Sequence, residues 1–471
     1  MQTQCTPDQM EFQGLGTRKV RAAFDGGYIS SDGGALLLRE VDARLGVTQR
    51  LASCFTDHRH REFVEHSVET LLRQRVYGIA LGYEDLNDHD ELSRDPLLAV
   101  AVGQADVEGH TRRRKQDRGR ALAAHSTLNR LERTPESLDP NNRYWKITHD
   151  AQKLEDLIVE VSLDSFETPP QEIVLDFDAT DDPIHGEQEG RFFHGYYRNY
   201  CYLPLYVFCG DRLLVAKLRT SDRDASEGTV EVAAMLVERI RRRWPEVRIV
   251  VRGDSGFARD AVMTWCEDHG VYYVLGLAKN VRLLREIGNE VVEARDRFVA
   301  TGQAARVFTR FQWRTKDSWT RPRQVIAKAE HLAKGANPRF IVTNLDDAYA
   351  APQALYEDVY CARGEMENRI KEQQLDLFAD RTSSHTLRAN QLRLWFASLA
   401  YVLVSAVRRM ALPGTRMAHS TCGTIRLKLF KIGARLERSV RRLIIHFASA
   451  CPYQDVFRQA LNNLRRYPLR C

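Results

Sequence analysis

The sequence has no stretch near the roughly 18 consecutive apolar residues that a membrane helix needs. Its longest apolar run, Leu394 to Val407, is interrupted by Ser398 and Ser405 and suits a buried or partner-facing helix. It has no Cys-x-x-Cys pair, and its nine cysteines are an odd number. That speaks against a zinc ribbon and for reduced thiols in a cytoplasm. The opening MQTQCTPDQM lacks a basic segment followed by an apolar one, so no secretory leader is expected. Internal repeats and low-complexity tracts are also missing. These absences set aside membrane, secreted and fibrous classes. What remains, 471 residues with 43% hydrophobic and 28% charged, is an ordinary globular chain of two to four domains.

Charge is unevenly spread. Residues 407 to 471 hold 14 Lys/Arg against two acids, Glu437 and Asp455, a balance of +12. The whole chain carries +6, so the remainder sums to −6. A basic tail on an acidic body suggests an anionic polymer as partner, with nucleic acid the first candidate. A second basic cluster runs Arg112, Arg113, Arg114, Lys115, Arg118 and Arg120. The bland alternative for both is a solvated helix face.

Residues 1 to about 165 open with a β-like piece, Lys19 to Ser31, and then turn helical: Ala35 to Leu45 and His66 to Leu81 carry apolar residues at helical spacing. STLNRLE (Ser126 to Glu132) reads as a helix start capped by Ser126, and Thr134 to Arg143 breaks the run. After Thr168-Pro169-Pro170 the pattern changes. IVLDFD (Ile173 to Asp178), Tyr202 to Phe208 and Leu213 to Leu218 read as strands, with Pro204 suggesting an edge position for the second. Ser226 to Arg243 reads as an amphipathic helix, RIVVR (Arg248 to Arg252) as a strand, Arg259 to His269 as a helix and Val271 to Gly276 as a strand. This order implies a mixed sheet with helices packed on it. Three more β-rich runs, Arg306 to Trp313, Gln324 to Ala329 and Arg339 to Thr343, suggest an inserted β subdomain, and from Pro352 the chain reads as helical to its end.

Two acids stand at strand ends: Asp178 closes IVLDFD, and Asp254 follows RIVVRG. Carboxylates held together by a sheet are a common way to hold a divalent cation, and a buried carboxylate needs compensation. The alternative is that both merely cap turns. Asp176, two residues before Asp178, shares its face, so periodicity does not choose between them; the strand's end favours Asp178. A third acid lies on a helix. Tyr360, Arg363, Glu367 and Gln374 fall at i, i+3, i+7 and i+14 on one face, with Lys371 beside them. This is either an ion-pair ladder or a metal-binding glutamate with cationic neighbours for phosphates. Glu365 is the rival to Glu367 and points elsewhere on a helix.

FDAT (Phe177 to Thr180), RGDSGF (Arg252 to Phe257) and YCARGEMENRIKE (Tyr360 to Glu372) together resemble the DDE transposases of bacterial insertion sequences. They look most like the thirteen-eighty family, in the branch with a Tyr–x2–Arg–x3–Glu–x6–Lys signature. FDGGYISSDGGALLL (Phe24 to Leu38), STLNRLE and RLKLFKIGAR (Arg426 to Arg435) extend the resemblance to nearly the whole chain. It implies an α+β multidomain protein. A helical DNA-end-binding region would span 1–165, a ribonuclease-H-like core with a mixed sheet 166–410, its β insertion about 285–347, and a basic helical region 411–471. The helix Leu392 to Val407 would close the core and offer a dimer contact.

By position, the resemblance implies a triad of Asp178, Asp254 and Glu367 holding two Mg²⁺ ions, for which Mn²⁺ would substitute, with Asp178 bridging. Two ions roughly 4 Å apart activate the attacking oxygen and stabilise the leaving one. Tyr360 and Arg363 would contact DNA phosphates. The signature's Lys falls on Gln374, with Lys371 one turn earlier as substitute. Trp313 and Trp319 are candidates for stacking a flipped base, or they pack the insertion's own core. Arg426, Lys428 and Lys431 would add DNA contacts. The implied partners are the terminal repeats of the element, target DNA and a second copy of the chain; the implied place is the bacterial nucleoid. Three alternatives stand beside this: a serine protease, from the string Gly253-Asp254-Ser255-Gly256, although Phe257 departs from that pattern; a nuclease that cuts without joining; and a catalytically silent DNA-binding relative.

Overall fold

A computed structural model describes residues 9–139, 141–142 and 144–470. Most of the segment read for a leader, Pro140 and Arg143 of the breaker segment, and Cys471 lie outside them. The chain divides into two compact units, one of 150–405 and one of 1–149 with 406–471. None of the seven described cysteines is in a disulfide.

The 150–405 unit is a mixed α/β body around one large sheet. We number its main elements along the chain: α1 Ala151–Asp164, β1 Glu172–Ala179, β2 Leu205–Cys209, β3 Arg212–Lys217, α2 Thr229–Arg243, β4 Arg248–Gly253, α3 Asp260–Asp268, β5 Tyr272–Leu277, α4 Gly288–Thr301, β6 Ala305–Trp313, β7 Arg323–Leu332, β8 Arg339–Thr343, α5 Gly364–Lys371 and α6 Leu387–Ala406. The strand order is β3-β2-β1-β4-β5-β8-β7-β6. β1, β4 and β5 run parallel; every other pairing along this path is antiparallel.

Period-two alternation fixes what each face does. Ile173, Leu175 and Phe177 of β1 and Ile249 and Val251 of β4 point to one face, where Val232, Leu236 and Ile240 of α2 and Val262 and Met263 of α3 cover them. Each such fully buried side chain contributes about 1.5–3 kcal/mol. The opposite phase carries Val174, Asp176 and Asp178 on β1, and Val250 and Arg252 on β4; on this face Val250 and Val174 pack with Leu355 and Tyr356. The parallel register pairs Arg252 with Asp176 and Gly253 with Phe177, so Asp254 comes next to Asp178. Phe177 and Phe257 pack ring to ring at 6.2 Å beneath, tying the two acid-bearing strand ends together.

Several expectations are corrected. The three late strands form no separate subdomain: β8 pairs with β5, so β8, β7 and β6 extend the main sheet. Their apolar phase (Val325, Ala327, Val342) joins the main core, which buries more than a small insertion can alone. Pro204 marks no edge strand, because β2 lies between β3 and β1; the proline sits at the break after Asn199–Tyr202, before the ladder begins. α2 starts at Thr229 rather than Ser226, whose backbone and hydroxyl both donate to Asp224 in an Asx turn. α6, with its continuation to Ala411, is long and apolar enough to cross a membrane, yet 89% of its apolar window is buried inside the protein. Its apolar surface is therefore used within the chain, not left for a dimer partner.

The other unit packs the helices Ala35–Leu45, Val68–Leu81 and Pro96–Val102, and Ser67 caps the second by accepting from Thr70 N. Its last segment was expected to be helical but contains the strands Ala434–Arg438 and Leu443–Phe447, which pair with each other and with Tyr28–Ser30. The β-branched and alternating RLIIHF outweighs helical propensity there. The motifs DGGALLL and RLKLFKIGAR meet: Gly33 N donates to Ile432 O at 2.8 Å and Gly34 N to Phe430 O at 3.0 Å. A Cβ at Gly34 would lie 1.8 Å from Leu429 O, so only glycine fits. The helix His125–Glu132 begins after Ala124, so Ser126 lies inside it and is not its cap.

Candidate active site

β1 and β4 end side by side, and the helical stretch 352–376 crosses their shared face. The pocket between them, about 510 Å³, is lined by Asp178, Asp254, Arg363, Glu367 and Lys371. The structure thus brings together the three carboxylates singled out in the sequence. Glu365 is exposed and does not line the pocket.

Asp176 and Asp178 differ in their neighbours. Asp176 is buried and clamped by Arg252 through both guanidinium edges, Nη2 to Oδ2 at 2.7 Å, while Arg252 also donates to the Val359 carbonyl. This pair ties β1, β4 and the crossing helix together and leaves no open ligand position. Asp178 accepts from Ala179 N at 3.0 Å and otherwise faces the pocket. Its carboxyl is pushed up to about 7, first by burial and further by the like charges of Asp254 and Glu367, against the pull of Arg363. Asp254 Oδ1 accepts from Gly256 N at 2.7 Å, which fixes the turn behind it.

Arg363 stands among these acids. Its Nη2 donates to Glu367 Oε1 at 2.7 Å and its Nη1 lies 3.6 Å from Asp178 Oδ2. Both readings of the helix face are therefore present in part: the Arg363–Glu367 pair exists, and it also reaches the strand carboxylate.

The crossing helix is not uniform. Wide i→i+5 turns occupy Leu355–Tyr360 and Glu372–Asp376, the kind of irregularity frequent at functional sites. Tyr360 is half-buried; a Cβ at Gly276 would come within 2.6 Å of its hydroxyl and 2.9 Å of Ser255 N, so the glycine is what admits it. Gln374 lies in the second wide turn. Its Nε2 donates to Asp182 Oδ1 at 2.9 Å and to the Asp181 carbonyl at 3.2 Å. Asp182 is fully buried, and burial holds its carboxyl well above the usual range. Lys371 is exposed at the pocket's side.

Sequence reasoning missed one wall. The strands Phe192–His194 and Asn199–Tyr202 form a hairpin whose tip, Gly195 to Arg198, presents His194, Tyr196 and Tyr197 to the pocket. Tyr197 donates to the Ala179 carbonyl at 3.2 Å, and Tyr196 stands edge-on to it with 84% of its surface exposed. Arg198 takes a left-handed φ of 56° to close the turn. The aromatic run FFHGYYRNYCY was the available signal.

Other expected DNA contacts are placed differently. Trp313 and Trp319 are 8% and 3% exposed and pack edge to face at 5.3 Å inside the main core, so they are core residues and offer no stacking face. Lys431 is held by the buried Asp32 at 2.7 Å and lies over the Tyr83 ring at 4.0 Å; it compensates a buried charge. Lys428 is exposed, 5.5 Å from the Tyr453 ring, and Arg426 is half-buried with its chain against Gly82.

The family described as "Transposase DDE domain group 1" matches residues 12–469. The chain belongs to this family. No curated protein matches it. Among solved structures, the transposase is similar to the cryo-EM structure of a piggyBac transposase synaptic complex with hairpin DNA, at 11% identity and a TM-score of 0.42, over 85% of this chain and 80% of that one.

The donor set in the transposase's pocket suits a hard divalent cation: its three acids offer oxygen only, and Asp178 is half-buried among like charges. Among the described residues no three ligands already converge tightly enough to hold one. Arg363 lies between Asp178 and Glu367, where its positive charge compensates both.

Proposed function

We propose that this protein is a cut-and-paste DNA transposase of the thirteen-eighty branch, cleaving and rejoining strands at the ends of its own insertion sequence. The observation that carries this is that Asp178, Asp254 and Glu367, with Arg363 among them, line one pocket at the ends of two parallel strands. The order β3-β2-β1-β4-β5 supports a ribonuclease-H-like core, with its acids on the first and fourth strands and on a later helix.

Asp178, Asp254 and Glu367 would hold Mg²⁺, or Mn²⁺ in its place, which when bound supplies activation of the attacking oxygen and charge neutralisation at the leaving one. The chain's own groups do the rest. Arg363, which reaches both Asp178 and Glu367, would offer its planar fork to a phosphate. Lys371 adds a point charge at the pocket's side, and Tyr360 buttresses the strand end. Tyr196 replaces the buried tryptophans as the aromatic surface on which an unstacked base rests. In the first step water attacks the phosphorus and the strand leaves as a 3′-hydroxyl; in the second that hydroxyl attacks a target phosphorus and displaces a new 3′-oxygen. Two ends must be held together, for which a dimer on DNA in the bacterial nucleoid is the simplest assembly.

The test is cleavage of labelled DNA carrying the element's ends in Mg²⁺ by wild type and Asp254→Ala. Cutting at the ends that is lost in the variant while DNA binding persists is the expected result. Equal activity of both proteins removes Asp254, and the triad with it. Specific binding without cutting by wild type moves the assignment to a silent DNA-binding relative.

A further inference from the structure

Asp176, Asp178 and Asp182 lie close together in the sequence but in different surroundings. Asp176 is clamped by Arg252, Asp178 faces the pocket, and Asp182 is fully buried. Asp182 does not line the pocket, so it is no ligand for a cation held there. Burying a carboxyl away from the site carries a desolvation cost, and its contacts show what it holds.

Asp182 joins three parts of the site. It follows Asp178 along the same segment of chain. Its backbone pairs with Tyr202, in the hairpin that walls the pocket. Its Oδ1 accepts from Gln374 Nε2 at 2.9 Å, and the Asp181 carbonyl accepts from the same amide at 3.2 Å. Gln374 belongs to the wide turn that follows α5, the helix of Glu367.

That turn is where the helix most needs a tether. A wide turn breaks the i→i+4 ladder, so the ladder alone does not fix the phase of the helix through it. Gln373, also fully buried, accepts at Oε1 from Ser398 Oγ of α6 at 3.4 Å. Two successive glutamines thus bind the turn to two different elements. The far end of the helical stretch is held too, because Arg252, on Asp176, donates to the Val359 carbonyl. Glu367 stands between these tethers, and the tethers start from acids on either side of Asp178 in the sequence.

The state of Asp182 suits a tether better than a charge. Burial, aided by Asp380 and Asp181, holds its carboxyl well above the usual range against the pull of Gln374. A neutral carboxyl accepts the Gln374 amide without a buried charge, and an asparagine amide can do the same.

We propose that Asp182 is a positioning residue of the carboxylate pocket: through Gln374 it sets where Glu367 stands relative to Asp178, and so how tightly the pocket holds a divalent cation. The inference rests on the reading of Asp178, Asp254 and Glu367 as cation ligands.

The test is uptake of Mn²⁺ by the full chain without DNA, read from the paramagnetic resonance of the free ion. Gln374→Leu and Asp182→Leu are expected to weaken uptake about 10–100-fold, the usual effect of losing a partner one step behind a metal ligand. Each is measured well below its own melting temperature. Asp182→Leu/Gln374→Leu loses no more than the worse single variant, because the two residues act as one unit. Asp182→Asn, which keeps the acceptor for Gln374, binds as wild type. In cleavage of element ends, the Leu variants need more Mg²⁺ but recover a rate within a few-fold of wild type at saturation. Wild-type Mn²⁺ uptake by Gln374→Leu overturns the proposal, and this half-buried position decides it even where Asp182→Leu fails to fold. Losses that add in the double variant overturn it, since each residue then acts alone. A loss in Asp182→Asn as large as in Asp182→Leu does so as well, making the charge and not the tether what matters. Wild-type uptake that Asp254→Ala leaves unchanged overturns the carboxylate reading and this inference with it.

Discussion

Asp176 and Asp178 lie two residues apart on one strand and differ in what stands beside them. Asp176 meets the fork of Arg252 and is structural; Asp178 meets the pocket and like charges. The same logic applies to Gln374, where the signature asks for lysine. Its amide serves the fully buried Asp182, whose other oxygen has no hydrogen-bond partner. Gln374→Ala removes that donor and should cost about 1–3 kcal/mol, seen as a lower urea midpoint. Gln374→Lys should place an ammonium against Asp182 rather than at a phosphate, so cleavage by this variant is expected to stay within a few-fold of wild type. A large gain in cleavage would show that the lysine reaches substrate. The two strand-end acids were legible because a strand's end and its alternation are local properties. Their order of importance was not, because Arg252 is a partner across the sheet. The hairpin with Tyr196 was illegible as a wall of the pocket because its position comes from where the chain folds it.

At the scale of elements, α2, β4, α3 and β5 were readable almost to their ends, since amphipathic period and punctuation are encoded within each segment. What the sequence withheld was pairing. A β-rich stretch reads the same whether it closes on itself or adds to an existing sheet, and here β8 docks on β5 through Val274 to Leu277. That pairing places Trp313 and Trp319 under the extended sheet, with Trp319 also facing Arg323 at 5.6 Å. Trp319→Ala is accordingly a core substitution. It should cost about 3–5 kcal/mol in urea unfolding and leave duplex affinity, measured well below the melting temperature, unchanged. A DNA-binding defect in a variant of wild-type stability would restore the stacking role.

At the scale of the whole molecule, the charge asymmetry pointed to nucleic acid, yet many basic residues in the tail and N-terminal region are internal counter-ions, as Lys431 is for Asp32 and Arg75 for Glu132 at 2.6 Å. Such buried cations also disfavour protonation of nearby histidines. His89 is fully buried, contacts Gln74 at 3.1 Å, and is held down to about 3, first by burial and then by Arg75, with Asp90 opposing. His66 is held down to about 4. Both are depressed bases, so between these values and the ordinary 6.5 the unfolded chain binds protons that the folded one refuses. Stability therefore rises with pH through that window and is lost as pH falls below about 6.5. At pH 5 each histidine should cost about 2 kcal/mol relative to pH 7.5, at roughly 1.4 kcal/mol per unit. Urea midpoints at the two pH values should show the fall in wild type, and His89→Asn, which keeps a partner for Gln74, should halve the part due to this pair. An unchanged fall in the variant would mean that His89 protonates freely in the folded protein and that the wall around it opens to water.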